Sequence, residues 1–321
     1  MSFLDISVAA GLHDRADALR HGRVSSPLLN VHFIQVQSPI EMFRRMFRDR
    51  EFDVSEMSVT AFIANRCKGD FPFVGIPVFP VRAFRHGSII VRTGGKVRAP
   101  SDLSGARIGV HGYAQTAAVW IRGILRDEYK IKFDQVTWFD AGGSSTSLPV
   151  PVTPMKGFSH LVSALKLGEI DALIAPSLPS AIFADGSISR LFQNYEEDER
   201  VYFSRTGIFP IMHTVIIQEK LHQEFGWVAE TIFKLFDESK SIALKELKNS
   251  EISRFMLPWF GKQTSELDTL FYGDPYPYGL DANMSQLRTL IRYLREDGIL
   301  DREPDPASLF LSMNASTSMQ D

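Results

Sequence analysis

The chain has 321 residues, of which 44% are hydrophobic and 11% aromatic, so it can bury a substantial core as one large or two ordinary domains. Its formal net charge of −3 argues against a nucleic-acid-binding surface and favours a small ligand. The single cysteine, Cys67, excludes an intrachain disulfide and a cysteine-rich metal cluster.

The first fifteen residues, MSFLDISVAAGLHDR, lack the basic start and the long apolar core of an export signal. No segment approaches the roughly 18 consecutive apolar residues that a membrane-spanning helix needs. We therefore expect a cytoplasmic protein with no membrane partner.

Strand-like segments alternate with amphipathic helical segments over most of the chain. This alternation predicts an α/β protein with largely parallel sheets. In chain order the clearest elements are a strand at Leu29–Val36, a helix at Ile40–Arg48, a strand at Arg107–Val110, a helix beginning near Thr116, a helix at Phe158–Leu167 and a strand at Ile170–Ala175.

Two segments have the character of crossings between lobes, Arg98–Ala106 and Thr206–Thr214. They predict a discontinuous first lobe of residues 1–105 and 211–321, which includes the C-terminal helices, and an inserted second lobe of residues 106–210. A ligand cleft is expected between the lobes. The stretch Gly142–Gly157 is rich in Ser, Pro and Gly, which predicts a mobile loop.

The order of strand, turn and helix at Ala106–Leu125 could form an anion site. Gly112 permits the turn, and Gln115 and Thr116 fall at the start of the helix. Free backbone N–H groups there could bind a carboxylate or phosphate. The alternative is an ordinary connection in which Thr116 only caps the helix.

Polar side chains interrupt three apolar segments, and each costs free energy unless it has a partner or a function. They are Glu56 and Ser58 in the first segment, Arg82, Arg85 and His86 in the second, and His213 in the third. Together they could hold an anion and transfer protons. Alternatively, Glu56 pairs structurally with Arg85, Arg82 is a solvated edge residue and His213 is a satisfied core histidine.

Several familiar site patterns are missing from the sequence. It has no HxH or HExxH spacing, no GxSxG elbow and no GxGxxG after a strand. We therefore expect no organic cofactor and assign no metal site, although a divalent ion is left open.

Five segments together resemble the 4,5-dihydroxyphthalate decarboxylase family, with matching order and spacing from near Ala9 to about Leu300. They are Arg50–Ser58, Pro72–Val91, Gln115–Leu125, Ile208–Val215 and Asp274–Gly279. The resemblance implies a fold similar to the type II periplasmic binding proteins, with two α/β lobes around a cleft. It also implies non-oxidative loss of CO2 from a hydroxylated phthalate. The chain departs from the family pattern at Tyr276, Val81–Ala83, Gly11–His13 and Tyr113–Gln115, which leaves the exact substrate open.

The expected activity is that of a carboxy-lyase acting on 4,5-dihydroxyphthalate or a close analogue. Direct loss of CO2 would leave an unstabilised aryl carbanion, so an acid must first protonate the ipso carbon. His86 or His213 is the candidate donor, Glu56 is the base or the acceptor for the phenol, and Arg85 anchors a carboxylate. The other candidate substrate-binding residues are Arg82, Ser58, Tyr113, Gln115, Thr116, Asp14, Arg15, Pro176 and Tyr276.

The alternative function is that of a cytoplasmic anion-binding or solute-binding protein that captures its ligand without turnover. The expected partner is a small anionic aromatic substrate in either case, and self-association into a homo-oligomer is left open.

Overall fold

The computed structural model describes residues 3–142, 150–249, 251 and 255–313. The chain divides into two compact units. The first comprises Met1–Arg82, Ile211–Leu287 and Pro304–Asp321, and the second comprises Ala83–Pro210 and Arg288–Glu303. Within the described residues, no helix has both the length and the apolar character needed to cross a membrane.

The first unit is built on a five-stranded mixed sheet with the order β2-β1-β3-β11-β4. Strand β1 is parallel to β2 and β3, whereas β11 is antiparallel to β3 and β4. The strands are β1 (Leu4–Ala10), β2 (Leu29–Gln35), β3 (Val54–Ser58), β4 (Phe73–Ile76) and β11 (His213–Gln218). The helices are α1 (Asp17–Arg20), α2 (Pro39–Arg44), α3 (Val59–Lys68), α7 (Glu219–Glu224), α8 (Trp227–Lys248) and α9 (Phe260–Leu270).

The second unit is built on a six-stranded sheet with the order β10-β5-β9-β6-β7-β8. Its central strands are parallel, and β5 runs antiparallel to both β9 and β10. The strands are β5 (Ile89–Arg92), β6 (Arg107–Val110), β7 (Thr137–Asp140), β8 (Val152–Pro154), β9 (Ala172–Ile174) and β10 (Ile188–Arg190). The helices are α4 (Thr116–Tyr129), α5 (Phe158–Leu167) and α6 (Tyr195–Thr206), and the division between the units falls within α10 (Met284–Glu296).

Most of the predicted elements are confirmed. Strand β6 and helix α5 have the predicted bounds, and α4 begins at Thr116. The predicted helix Ile40–Arg48 is instead α2 followed by a π-helical turn at Arg45–Asp49. Part of the predicted loop Gly142–Gly157 is strand β8, and residues 143–149 of that loop lie outside the described residues.

The division into units differs from the predicted lobe boundaries. Residues 83–105, which were predicted in the first lobe, belong to the second unit, as do residues 288–303. For residues 83–105 the reason is strand pairing, because β5 forms its ladder with β9 and β10 of the six-stranded sheet.

Candidate functional site

A buried carboxylate at the centre of the first unit's sheet holds two histidines. Glu56 lies on β3 and is only 1% exposed. Its Oε2 atom accepts hydrogen bonds from the Gly11 backbone N–H at 3.0 Å and from His13 Nε2 at 3.1 Å. Its Oε1 atom accepts one from His213 Nδ1 at 2.5 Å. A buried charge persists only when it is paired and hydrogen-bonded, and Glu56 meets that condition.

The sheet topology explains why these residues meet. Gly11 directly follows the carboxyl end of β1, which is the parallel neighbour of β3. His213 is the first residue of the antiparallel strand β11, where it lies opposite Ser58 at the end of β3. Two strand ends and one strand start therefore share an edge of the sheet, the position where open α/β sheets bind ligands.

The two histidines differ in which ring nitrogen is hydrogen-bonded to Glu56 and which is not. Burial opposes ionisation of Glu56, but hydrogen bonds and charge from His13 and His213 hold the pKa of its carboxyl well below the usual value. An ionised carboxylate can only accept hydrogen bonds, so His213 carries a proton on Nδ1. Its other ring nitrogen, Nε2, is the one that does not bond to Glu56. His13 bonds through Nε2, and its Nδ1 is buried with no hydrogen-bond partner among the described residues. His213 is thus the histidine whose outer nitrogen is Nε2.

An aromatic contact further fixes the ring of His213. Phe43 of α2 meets it edge to face, with ring centroids 5.0 Å apart and an interplanar angle of 87°. Oriented by Glu56 on one side and Phe43 on another, the imidazole has a defined position. In the described part of the chain, no group of three or more His, Cys, Asp or Glu side chains is arranged to hold a metal ion.

Asp14, Arg15 and Tyr276, three predicted substrate-binding residues, form a second polar group in the same unit. The Arg15 guanidinium lies 4.1 Å from the centroid of the Tyr276 ring. Its Nη1 donates to Asp14 at 2.8 Å, and its Nε donates to the Pro80 carbonyl at 2.8 Å. Ser58 has a local role, because its hydroxyl accepts from the Ala61 N–H and caps α3.

Arg82 is buried, so it is not a solvated edge residue. Its buried guanidinium donates to the side chains of Gln286 and Asn283 and to the Pro277 carbonyl. Burial lowers its pKa to about 10. The side chain links the segment after Tyr276 to the chain just beyond β4, which corrects the edge-residue interpretation. Substrate binding by Arg82 stays a prediction.

The remaining predicted residues lie in the second unit. Arg85 donates from Nη1 to the Pro176 carbonyl at 3.1 Å, and burial lowers its pKa to about 10. His86 is buried against the rings of Phe192 and Tyr202, and burial lowers its pKa to about 4. A buried imidazole with that pKa is neutral near pH 7.

Glu199 stands beside His86. Its Oε1 is 3.8 Å from His86 Nδ1 and accepts from the Gly87 N–H at 3.3 Å, and burial raises the pKa of its carboxyl to about 7. The alternative interpretation, in which Glu56 pairs structurally with Arg85, is wrong, because Glu56 accepts its hydrogen bonds from Gly11, His13 and His213.

The predicted anion-binding turn is organised by a carboxylate that the sequence analysis missed. Asp140, the last residue of β7, accepts from the N–H groups of Gly112, Tyr113 and Gly142 at 2.8, 3.1 and 2.7 Å. Gln115, rather than Thr116, occupies the N-cap of α4, and its side chain makes no capping bond. The use of this turn as a carboxylate anchor stays a prediction.

Two further residues escaped the sequence analysis as members of the site, His13 and Phe43. His13 was noted only as part of a departure from the family pattern. The available signal was its place just past the first strand, at the edge where the Glu56 strand also ends. Phe43 lies within the predicted helix Ile40–Arg48, and nothing in the sequence marks it as functional.

No family model matches the chain. A 4,5-dihydroxyphthalate decarboxylase of Comamonas testosteroni is 32% identical over 322 residues, which cover 97% of both chains. The chain belongs to the 4,5-dihydroxyphthalate decarboxylase family. A second member, from Pseudomonas putida, is 34% identical over 206 residues, covering 60% of this chain and 79% of that protein.

Solved structures confirm the predicted periplasmic-binding-protein-like fold. The periplasmic aliphatic sulphonate binding protein of Escherichia coli aligns with a TM-score of 0.56 at 12% identity, covering 96% of this chain and 98% of that one. A Candida albicans protein described as having the generic periplasmic binding protein fold aligns with a TM-score of 0.58 at 14% identity, covering 98% of each chain. At such identities the similarity shows the fold alone.

Proposed function

We propose that the protein is a carboxy-lyase that removes CO2 without oxidation from 4,5-dihydroxyphthalate or a close analogue. The chain belongs to a family whose relatives are named 4,5-dihydroxyphthalate decarboxylase, and this membership supports the substrate class. The observation that supports the proposed chemistry is the hydrogen bond of 2.5 Å between the Glu56 carboxylate and His213 Nδ1. It lies at the edge of the sheet where open α/β sheets bind ligands.

The reaction requires one proton to reach the carbon that loses CO2. In 4,5-dihydroxyphthalate each carboxylate has a hydroxyl para to it. Loss of the proton from that hydroxyl sends electron density to the ipso carbon, which then accepts a proton from an acid. The bond to the carboxylate breaks, its electron pair restores the aromatic ring, and CO2 departs. The phenolate regains a proton, so the net reaction exchanges CO2 for H+.

We assign the proton transfer to His213. With Nδ1–H held by the carboxylate, a protonated imidazole presents its second proton on Nε2, and Glu56 stabilises the positive charge. Glu56 is 1% exposed and fully engaged, so it acts through His213 and not as a direct base for the phenol. The burial and lowered pKa of His86 favour His213 over His86 as donor.

The roles of two neighbours follow from the same geometry. His13 and the Gly11 N–H hold the second oxygen of Glu56 and are proposed to position it. Arg15 keeps its cation partly exposed over Tyr276 and is proposed to meet a carboxylate of the substrate.

The second candidate function is anion binding without turnover, and the fold that the chain shares with periplasmic binding proteins is the observation that favours it. A binding protein has no need of a buried carboxylate that orients an imidazole, which is why we rank it second.

The decisive experiment is incubation of the purified protein with 4,5-dihydroxyphthalate in D2O. We expect CO2 release and 3,4-dihydroxybenzoate carrying one deuterium at the former carboxylate carbon. Phthalate, which lacks the para hydroxyl, should not react, whereas 4-hydroxyphthalate should. Binding of all three by calorimetry without CO2 release would replace the decarboxylase with the anion-binding function.

A further inference from the structure

Two buried polar atoms of the first unit make no hydrogen bond within the described part of the chain. They are Nδ1 of His13 and the hydroxyl oxygen of Tyr278. The side chain of His13 is only 10% exposed, and Tyr278 is only 2% exposed. Buried polar atoms are nearly always hydrogen-bonded, and phenylalanine would fill the place of Tyr278 without an unpaired hydroxyl. Both atoms therefore need an explanation.

The two atoms are chemically complementary. The ionised Glu56 can only accept, so the Nε2 atom of His13 that bonds to it at 3.1 Å carries the ring proton. In a neutral imidazole the other nitrogen, Nδ1, is then an acceptor. The hydroxyl of Tyr278 is a donor. One buried atom thus lacks a donor, and the other lacks an acceptor.

Contacts of neighbouring residues bring the two segments of the first unit together. The Arg15 guanidinium lies 4.1 Å from the centroid of the Tyr276 ring. In the sequence these two residues lie two positions from His13 and Tyr278, respectively. Tyr278 also belongs to the same buried core cluster as Ala16, which follows His13 by one turn. The two complementary atoms therefore belong to one packed region.

The other acceptors around the hydroxyl are already engaged. Burial raises the pKa of the Tyr278 hydroxyl, and the charges of carboxylates that include Asp274 and Glu56 raise it further, so the group keeps its proton. Lys240 Nζ donates to Asp274 at 2.6 Å. Glu56 accepts three hydrogen bonds. By contrast, His13 Nδ1 has no donor among the described residues.

The backbone on both sides of Tyr278 is fixed by hydrogen bonds. The Pro277 carbonyl accepts from Arg82 Nη2 at 3.1 Å. The Gly279 N–H donates to the Pro77 carbonyl at 2.8 Å. A buried ring between two such anchors holds its hydroxyl in a defined position, as a group that orients another side chain must do.

We propose that Tyr278 is a positioning residue that donates, through one bridging water, to His13 Nδ1 and so keeps His13 in its neutral Nε2–H form. The two atoms are not hydrogen-bonded to each other directly, and a shared water is the common way to satisfy such buried groups. For its part in catalysis this inference rests on the proposed function. A neutral His13 leaves the negative charge of Glu56 to stabilise the imidazolium of His213. Tyr278 thereby selects which of the two histidines becomes the acid.

The first test is NMR of the protein labelled with ¹⁵N in its histidines, because the shifts of the ring nitrogens report which of them carries a proton. His13→Gln assigns the signals of His13. We expect Nδ1 of His13 to lack a proton in the wild type, and we expect Tyr278→Phe to shift the Nδ1 signal. A proton on His13 Nδ1 in the wild type, or an unchanged Nδ1 signal in Tyr278→Phe, would overturn the proposal.

The second test measures what the link does for the reaction. Tyr278→Phe should lower kcat about 10-fold with KM unchanged, the factor that corresponds to one hydrogen bond of typical strength. His13→Gln keeps a donor for Glu56 but lacks Nδ1, so Tyr278→Phe should have no further effect in that background. Tyr202→Phe is the matched control, because Tyr202 is 3% exposed but belongs to the second unit, and it should leave kcat unchanged.

Two kinetic results would contradict the role of Tyr278. They are a wild-type kcat in Tyr278→Phe, and an equal loss from Tyr278→Phe with and without His13→Gln. An inactive wild-type protein would instead refute the proposed function, whereas the link between Tyr278 and His13 is decided by the NMR shifts, which need no turnover.

Discussion

Glu56 decides what the neighbouring imidazoles can do. Each of its two carboxylate oxygens accepts a hydrogen bond from a different histidine. The ring nitrogen that does not bond to Glu56 is therefore Nε2 in His213 and Nδ1 in His13. Only a charged acceptor can hold both rings in that arrangement and also stabilise an imidazolium.

We predict that Glu56→Gln lowers kcat by about 10²–10⁴ with a small change in KM, because the amide keeps the size of the side chain but not its charge. His213→Asn should cost a similar factor, and the double variant should cost no more than either single change, since the residues act as a unit. Steady-state kinetics at fixed pH give these values.

The matched control is His32→Asn, which removes an exposed imidazole that pairs with Asp5 on the same sheet. It should leave kcat unchanged. Full additivity of Glu56→Gln and His213→Asn would contradict the proposed coupling and return His86 as the candidate donor.

His86 and Glu199 form a pair whose effects on stability oppose one another. Burial lowers the pKa of His86 to about 4, so its contribution to stability is lost as pH falls through that value. Burial raises the pKa of Glu199 to about 7, so its contribution is lost as pH rises through that value. Between pH 4.5 and 6.5 the two effects cancel in the wild-type protein.

Single substitutions should therefore reveal opposite slopes. Relative to wild type, Glu199→Gln should lose stability as pH falls from 6.5 towards 4, and His86→Gln should lose stability as pH rises from 4.5 towards 7. Each slope is at most about 1.4 kcal/mol per pH unit, the value for one proton. Urea midpoints measured across this range would contradict the pairing if both variants sloped the same way.

The residues of the site show which signals a sequence carries. Glu56 and His213 were predicted because an ionisable side chain in an apolar strand needs a partner or a function. Arg82 gave the same signal, yet its acceptors lie about 200 residues away in the sequence, which no local pattern reveals. His13 gave only a weak signal, its place just past the first strand, because it is the pairing of β1 with β3 that brings it to Glu56.

At the scale of elements, local chemistry predicted the elements with clear end signals and missed those that depend on pairing at a sheet edge. Helix α5 was predicted residue for residue because Gly157 and Gly168 bound a helical apolar period. Strand β8 was missed because its stretch is rich in Pro and Ser, and it is extended only through pairing with β7 at the sheet edge. Composition alone could not supply that pairing.

The contact between α4 and α10 depends on one glycine. A Cβ atom at Gly123 would lie 2.0 Å from the Tyr293 ring, which is itself fully buried. Gly123→Ala should therefore destabilise the protein by about 1–3 kcal/mol through overpacking, although alanine is the better helix former. Chemical denaturation measures the change. The matched control is Gly226→Ala, where the nearest atom is 3.8 Å away, and an equal effect in both would contradict the argument.

For the whole molecule, the sequence predicted the fold class but not its division. Alternating elements predicted an α/β protein, and the structural likeness to periplasmic binding proteins confirms the fold. Residues 83–105 belong to the second unit because β5 pairs antiparallel with β9. The alternation of strands and helices along the sequence does not determine which distant strands pair.

Both units contain carboxylates whose ionisation stabilises the folded chain. In the first unit, the histidines hold the pKa of Glu56 well below its usual value despite burial. In the second, hydrogen bonds from Arg107 and Lys96 outweigh burial and lower the pKa of Asp171 to about 2. A carboxylate whose pKa is lower in the folded chain than in the unfolded chain stabilises the fold at pH values above the unfolded pKa. That stability is lost as the pH falls through the folded pKa.

We therefore predict that each unit loses stability on acidification below about pH 4.5, near the pKa of an unfolded glutamate. Urea midpoints should be nearly constant from pH 7 to 5 and should fall below that. Asp171→Asn should flatten the acid slope by up to about 1.4 kcal/mol per pH unit. Tryptophan emission can follow each unit, because Trp120 and Trp138 belong to the second and Trp227 and Trp259 to the first. A midpoint at pH 3 equal to that at pH 6 would show that these ionised carboxylates do not stabilise the fold.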